Sequence, residues 1–386
     1  MNGTELRHVL SSKQPSGKLK VAIVHDWLYG GGAELVVEQL HKIFPEAPIY
    51  TSYCSREWRE RLDNKIVTGY LQHWPFSRLR KYIPFLRILW FTHLKFDGYD
   101  LIISSSGAEA KGIKVRQKGK RKPIHINYCH APTHYYWSRY DEYMQHPGFG
   151  AFDWLARIGL KLLVGPLRRW DFKAAQRPDY IIANSTHIKQ EIKKYYGRDS
   201  IVIFPPVYFE RFQKQPVADK DRRGFLIAGR QTPYKRFDLA VQACTELDLP
   251  LTVIGDGPDN KRLRRLAGKS VTFLGRASDA VVEEEFAHAR ALIFPGLDDF
   301  GITPVEAMAA GTPVIAYKAG GALDYVLPGR TGEFFNEQTN ESLRTALQTF
   351  ADHSLQAKDC RLEARRFTPE EFRRKIITVI NKILNP

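Results

Sequence analysis

The chain has 386 residues, 43% of them hydrophobic and 26% charged, which suits two globular domains with ample cores. Its four cysteines, 54, 129, 244 and 360, are scattered and form no disulfide framework, as expected of a reducing compartment. The formal net charge of +16 is uneven: residues 1–200 carry 32 Lys/Arg against 18 Asp/Glu, and residues 201–386 carry 26 against 24. Residues 1–18 are polar and lack the apolar stretch of a signal peptide, and no uninterrupted apolar run is long enough to span a bilayer.

In chain order, Leu19–Asp26 reads as a buried strand. Gly30, Gly31, Gly32, Ala33 and Glu34 follow, then a helix over Leu35–Phe44. Glycines between a first strand and a first helix let backbone approach a ligand, so Gly31 and Gly32 are candidate contacts. Their spacing is not the dinucleotide fingerprint. Tyr99–Ser105 is a strand reaching a Ser-rich turn, and Ile124–His130 and Tyr180–Asn184 are two more. Ser185, Thr186 and a helix bearing Glu191 come next, and Ile201–Pro206 leads out. A junction is expected near 207–222, where Gln213, Lys214, Gln215 and Pro216 precede a charged run.

The second half alternates strands and helices over about 222–365, hence a parallel sheet. Gly224–Arg230 is a strand, followed by Thr232, Pro233, Tyr234, Lys235, Arg236 and a helix from Phe237. Leu251–Pro258 reads as a strand then a turn, and Val271–Asp279 as a strand that ends in a loop, with Gly275 and Arg276, before a helix over Ala280–Ala289. Ala291–Phe294 leads to Asp298, Asp299, Phe300 and Gly301. A helix then opens, with Thr303 expected as N-cap and Pro304 at the first helical position. Gly311, Thr312 and Pro313 stop it. A strand–loop–helix turn of this kind gathers backbone N–H groups and a positive helix end, which suits phosphate. Gly301, Ile302 and Thr303 are the candidate backbone contacts, and Glu306, one turn in, can reach hydroxyls beside a diphosphate. Pro369–Leu384 is a final amphipathic helix.

The run from Asp298 through Glu306 to Val314 resembles the donor-site signature of the retaining glycosyltransferases of family 4. It matches their pattern of an acidic residue, seven residues, then Glu, except that Asp298 stands where the family has Glu. The resemblance implies an α/β chain of GT-B fold, two Rossmann-like domains facing across a cleft. The domains would span 1–207 (acceptor) and 208–365 (nucleotide sugar), with 366–386 a helix returning to the first. It also implies that Arg230 and Lys235 hold the donor diphosphate, that the loop at Gly275 and Arg276 passes the base, and that Asp298 and Glu306 meet sugar and ribose hydroxyls. His130 would lie near the transferred sugar, positioning and polarising it. By composition alone, Tyr128–Tyr135 leaves a structural histidine open, and zinc on Cys129, His130 and His134 is disfavoured by Pro132 between them and by the absence of a second ligand cluster. The family's retention of configuration favours front-face substitution, with no metal and no other cofactor expected.

Three basic segments, Trp74–Lys95, Lys111–Lys122 and Ala151–Lys173, interleave cations with aromatic or aliphatic residues. They suggest an anionic membrane surface as partner. The resulting expectation is a transferase on the cytoplasmic face of the membrane. It would move a hexose, first guess mannose from GDP-mannose, to a lipid-linked or growing glycan, as in surface-polysaccharide assembly. The alternatives are a soluble UDP- or ADP-sugar transferase of sucrose or starch type, and a nucleic-acid-binding protein on an inactive fold; no nucleic-acid partner is expected while Arg230, Lys235 and Glu306 stand intact.

Overall fold

The computed structural model describes residues 19–80, 83–116, 122–145, 147, 150–213, 217–350 and 355–385. The polar segment 1–18, Lys81, Lys118, Lys120, Arg121 and Lys214–Pro216 lie outside the described residues. The chain divides into two compact units, residues 1–205 with 372–386, and residues 206–371.

Unit 1 runs β1 (Val21–His25), α1 (Ala33–Ile43), β2 (Ile49–Thr51), α2 (Arg56–Arg61), β3 (Ile66–Val67), α3 (Phe76–Leu79), α4 (Pro84–His93), β4 (Leu101–Ser106) and β5 (Ile124–Cys129). It continues through α5 (Tyr140–Gln145), α6 (Asp153–Ala175), β6 (Tyr180–Ala183), α7 (Thr186–Tyr196) and β7 (Ile201–Val202). The strands form one parallel sheet in the order β3-β2-β1-β4-β5-β6-β7. Strands covered on both faces read as continuous apolar runs, and β1 and β4 are buried throughout.

Unit 2 runs β8 (Phe225–Ala228), α8 (Phe237–Glu246), β9 (Leu251–Ile254), α9 (Asn260–Leu266), β10 (Val271–Gly275), α10 (Asp279–His288) and β11 (Ala291–Phe294). Then come α11 (Ile302–Ala309), β12 (Val314–Tyr317), β13 (Gly332–Phe335), α12 (Asn340–Thr349) and α13 (Ala357–Ala364). Its sheet is parallel in the order β10-β9-β8-β11-β12-β13. The last helix, α14 (Pro369–Leu384), belongs to unit 1 from Phe372 onward. Phe372, Ile376 and Ile380 join the core of β1, β2 and β4, and the Phe372 ring meets that of Tyr128 at 5.8 Å. Each sheet reverses its winding once, between β1 and β4 and between β8 and β11. Carboxyl ends of strands at such a reversal are where open α/β sheets place ligands.

The turn Ala108–Gly112 organises one side of unit 1. The buried Asp26 carboxylate, after β1, accepts from the backbone N–H groups of Gly107, Ala108 and Ala110 and from Ser106 Oγ. From the same turn, Glu109 takes a two-pronged ion pair from Arg87 of α4, at 2.7 and 2.8 Å. Lys111 pairs with Asp171 of α6 at 2.7 Å. All four ion-pair side chains are buried. Burial alone would lower Arg87 and Lys111, but Glu109 and Asp171 hold both above their ordinary values. These contacts correct part of the basic-surface expectation. Arg80 is also buried, its guanidinium 3.7 Å from the centroid of the Tyr53 ring, and Arg87 donates to the Arg80 carbonyl. Arg80, Arg87 and Lys111 are therefore interior cations: the Tyr53 ring, Glu109 and Asp171 reach them from other elements, which a linear charge count does not show.

Removing one partner of a buried pair leaves the other charge uncompensated, at a cost of about 3–5 kcal/mol. Lys111→Met should lower the stability of unit 1 by about that amount in urea unfolding, and Lys111→Met with Asp171→Asn, which removes the stranded charge but keeps an oxygen for the Thr133, Trp137 and Tyr196 donors, should recover part of it. A loss below about 1 kcal/mol for the single variant would show that this pair does not hold α6.

Candidate active site

In unit 2, the loops after β8 and β11 meet at the winding reversal. Arg230 stands exposed two residues past β8, and Lys235 ends a short 3₁₀ turn, Pro233–Lys235. Lys235 Nζ pairs with Asp298 Oδ2 on the loop after β11. The Lys235 ammonium also lies 5.4 Å from the centroid of the Tyr234 ring and 5.8 Å from that of Phe294. The backbones come close here: a Cβ on Gly296 would lie 3.0 Å from Lys235 Cα. Asp298 is buried, and its carbonyl accepts from Gly321 N–H at 2.9 Å. Its second carboxylate oxygen, Oδ1, is buried without a hydrogen-bond partner among the described residues. A buried, unsatisfied acceptor is costly, so one at a strand end beside a lysine points to a hydroxyl donor.

The helix start differs from the expectation. Helix α11 opens at Ile302, with Gly301 at the N-cap in place of Thr303, and Pro304 is its third residue. The reason is steric. Gly301 has φ +86°, and a Cβ there would lie 2.7 Å from Tyr325 Oη and 2.9 Å from the Phe294 ring. Only glycine can turn the chain at that point, so the helix begins immediately after it. Pro304 is tolerated because first-turn N–H groups have no helical partner. Gly301, Ile302 and Thr303 thus supply the free turn at the helix end, as the ligand argument requires, from a start two residues earlier.

Glu306 lies on the second turn of α11, half-buried. Burial pushes its carboxyl up to about 7, with Arg211 pulling down and Asp279 pushing up. Gly275 and Arg276 close β10, with Arg276 exposed, and the Gly275 carbonyl accepts from Gly255 N–H at 2.7 Å. Arg230, Lys235, Asp298, Gly301 and α11 therefore follow the carboxyl ends of the adjacent central strands β8 and β11, while Gly275 and Arg276 sit two strands away beyond β9.

In unit 1, His130 follows β5, half-buried, with Nε2 2.7 Å from Ser105 Oγ. The same serine's carbonyl accepts from His25 Nδ1 at 2.7 Å, and the two imidazoles meet edge to face at 6.1 Å. The loop beyond is pinned twice: Thr133 Oγ1 donates to Asp171, and Tyr135 Oη donates to Glu109, each at 2.8 Å. Gly31 and Gly32 sit where the glycine loop was expected, but the N–H groups of Tyr29 and Gly30 already bind the Glu34 carboxylate. Sequence reasoning passed over Ser105, His25 and Asp26. The Ser-rich turn after β4 was the signal for the first; strand-end position was the only signal for the other two.

Two doubly wound parallel sheets, one with a cation–carboxylate pair at its winding reversal, define a double Rossmann-like α/β protein. Two family models match in tandem: Glycosyltransferase Family 4 over residues 30–211 and Glycosyl transferases group 1 over residues 208–367. The chain thus has the GT-B fold of the group 1 and family 4 glycosyltransferases. A GDP-mannose-dependent alpha-mannosyltransferase of Mycolicibacterium smegmatis is 41% identical over 173 residues, 42% of this chain and 46% of that protein. An uncharacterized glycosyltransferase of Methanocaldococcus jannaschii is 30% identical over 170 residues, 42% of this chain and 47% of that protein. The chain spans less than half the length of these curated relatives. Among solved structures, Anabaena HepE in complex with UDP aligns over 94% of this chain and 100% of its own, with TM-score 0.67 and 17% identity. Sucrose-phosphate synthase of Thermosynechococcus elongatus aligns over 95% and 99%, with TM-score 0.65 and 18% identity.

A carboxyl raised in the fold binds a proton that the unfolded chain has released, so unfolding stability falls as pH rises from about 4.5 to about 7 and is flat above. Going from pH 5.5 to pH 8 should therefore cost wild type roughly 1–2 kcal/mol that Glu306→Gln does not lose. Urea unfolding of both proteins at the two pH values measures this. Parallel pH profiles would show that the Glu306 carboxyl stays solvated.

Proposed function

We propose that the chain is a retaining glycosyltransferase that moves a hexose from a nucleotide sugar, GDP-mannose as first candidate, to a lipid-linked or growing glycan at the cytoplasmic face of a membrane. The observation that carries this reading is the Lys235–Asp298 pair at the winding reversal of unit 2, beside the free end of α11. A nucleoside diphosphate leaving group gains negative charge as the glycosidic bond breaks. Arg230, Lys235 and the N–H groups of Ile302 and Thr303 are assigned to stabilise it, which is the dominant catalytic effect for such a group. Those cations would take the place of a metal. Asp298 Oδ1, unsatisfied and buried, is assigned to a sugar hydroxyl, and Glu306 to a ribose hydroxyl. In unit 1, His130 is given the positioning and polarising role, its ring held by Ser105. The leaving diphosphate would take the acceptor proton on the same face, so no carboxylate nucleophile is invoked. GDP-mannose rests on the mannosyltransferase relative; the UDP-bound HepE and sucrose-phosphate synthase neighbours support the alternative of a soluble UDP- or ADP-sugar enzyme. Among the described residues, no helix is long and apolar enough to cross a membrane.

Thermal stabilisation and hydrolysis measured with GDP-mannose, UDP-glucose and ADP-glucose test the donor. Stabilisation by none of them would remove the assignment. Arg230 is exposed, so Arg230→Ala should leave folding intact and lower kcat about a hundredfold, with donor affinity less affected. Lys235→Ala alone would strand Asp298, so Lys235→Ala with Asp298→Asn is the cleaner companion. Activity should persist in EDTA; strict dependence on added Mg²⁺ or Mn²⁺ would contradict the cation assignment.

A further inference from the structure

Helix α6 has two halves of different character. From Leu167 to Ala175 it packs into unit 1: Leu167, Asp171, Ala174 and Ala175 are buried, and the Trp170 ring covers Gly112 of the Glu109–Lys111 turn. From Asp153 to Leu163 none of its residues is buried. Pro166 separates the halves, and a proline there removes the N–H bond to the Leu162 carbonyl. The outer half is not a polar surface helix. Trp154, Leu155, Ile158 and Leu162 stand at i, i+1, i+4 and i+8, hence on one stripe, with Trp154 59% and Leu162 71% exposed. Phe152, just before the helix, is 66% exposed. Arg157, exposed but with its guanidinium also donating to the carbonyls of Met144 and Gln145, and exposed Lys161 flank the stripe, each one residue before an apolar position, and Arg169 and Lys173 continue the charge.

Helix α4 carries a second exposed apolar row, Phe85 and Leu89, continued by Ile83 before it. The two helices are pinned to the same turn by the Arg87–Glu109 and Lys111–Asp171 pairs. The desolvated ion pairs thus brace two helices whose outer faces water does not favour. An exposed apolar stripe flanked by cations marks an interaction site.

We propose that the outer half of α6, together with the exposed row of α4, docks on an anionic lipid bilayer. Its apolar stripe would enter the interface and Arg157 and Lys161 would meet head groups. The complementarity favours this occupant: aromatic and aliphatic side chains in one stripe with flanking cations is the composition of an interfacial helix. The assignment deepens the membrane component of the proposed function and rests on it. It also moves the contact away from Arg80, Arg87 and Lys111, which are interior. Tyr135 and Thr133, on the loop after His130, hydrogen-bond to Glu109 and Asp171, so the docking helices and that loop share their anchors.

Co-sedimentation with phosphatidylglycerol–phosphatidylcholine vesicles and with pure phosphatidylcholine vesicles tests this independently of any donor. Wild type should bind the anionic vesicles, bind neutral ones weakly, and weaken in high salt. Trp154→Ser, Leu155→Ser, Ile158→Ser and Leu162→Ser together should abolish sedimentation with an unchanged melting temperature, since all four side chains are exposed. Arg157→Ser with Lys161→Ser should weaken binding about thirtyfold. Donor stabilisation should be the same in all three proteins, so loss of vesicle binding and failure of the glycosyltransferase reading are told apart. Three results would overturn the proposal: sedimentation of the four-residue variant equal to wild type; no vesicle binding by wild type, with a dimer in analytical ultracentrifugation that the variant lacks; or no vesicle binding, with a nucleic-acid gel shift that Arg157→Ser with Lys161→Ser abolishes.

Discussion

A parallel sheet can be wound in both directions from one starting strand, and where the winding reverses, two adjacent strands send their loops to opposite faces. That constraint leaves an uncovered notch at the carboxyl ends of β8 and β11 in unit 2 and of β1 and β4 in unit 1. Most of the chemistry described above sits at those two notches. In unit 2 the notch brings Lys235 against Asp298, residues 63 apart in the chain, and places the start of α11 beside them. In unit 1 it brings the Asp26 carboxylate against the backbone of 106–110, 80 or more residues downstream.

The two notches are built differently. The Asp26 carboxylate is saturated by three backbone N–H groups and a serine hydroxyl. It is a structural clamp that shapes the turn from which Glu109 and Lys111 reach α4 and α6. The Asp298 carboxylate has one oxygen on Lys235 and the other without a partner among the described residues. The same residue type at the winding reversal, after β1 in one unit and after β11 in the other, thus serves fold in one and is left with binding capacity in the other. The difference is the supply of local donors.

The buried ion pairs of unit 1 link the interior to the surface. Charges of this kind contribute little net stability but make alternative arrangements expensive, because either partner alone would be a desolvated charge. They fix where α4 and α6 run, and with Tyr135 and Thr133 they fix the loop that leaves β5 at His130. Apolar residues exposed on the outer faces of both helices are held by polar residues buried beneath them.

Local sequence was enough for most strands and for the long helices, since an apolar run bounded by glycine or proline has few alternatives. The helix Pro369–Leu384 has the bounds that its amphipathic pattern indicated, and a strand opens at Leu251 as expected. The glycine turn and helix that follow β11 were legible as well, because Gly301, Pro304 and Glu306 carry backbone and charge signals that act over a few residues. The short edge strands β2 and β3 were not legible: three and two residues are too few to show a period, and they form because a partner strand is present. The start of α11 was decided by the Tyr325 and Phe294 side chains packed against Gly301, which no local pattern contains. The fate of the cations was decided in the same way. Arg87 and Lys111 read as surface charge beside exposed Arg157 and Lys161, yet they are interior, because Glu109 and Asp171 reach them from other parts of the chain. Sequence by itself determined which segments could be buried; tertiary structure decided which charges would be buried with them, because a charge enters the interior only where a distant partner is waiting.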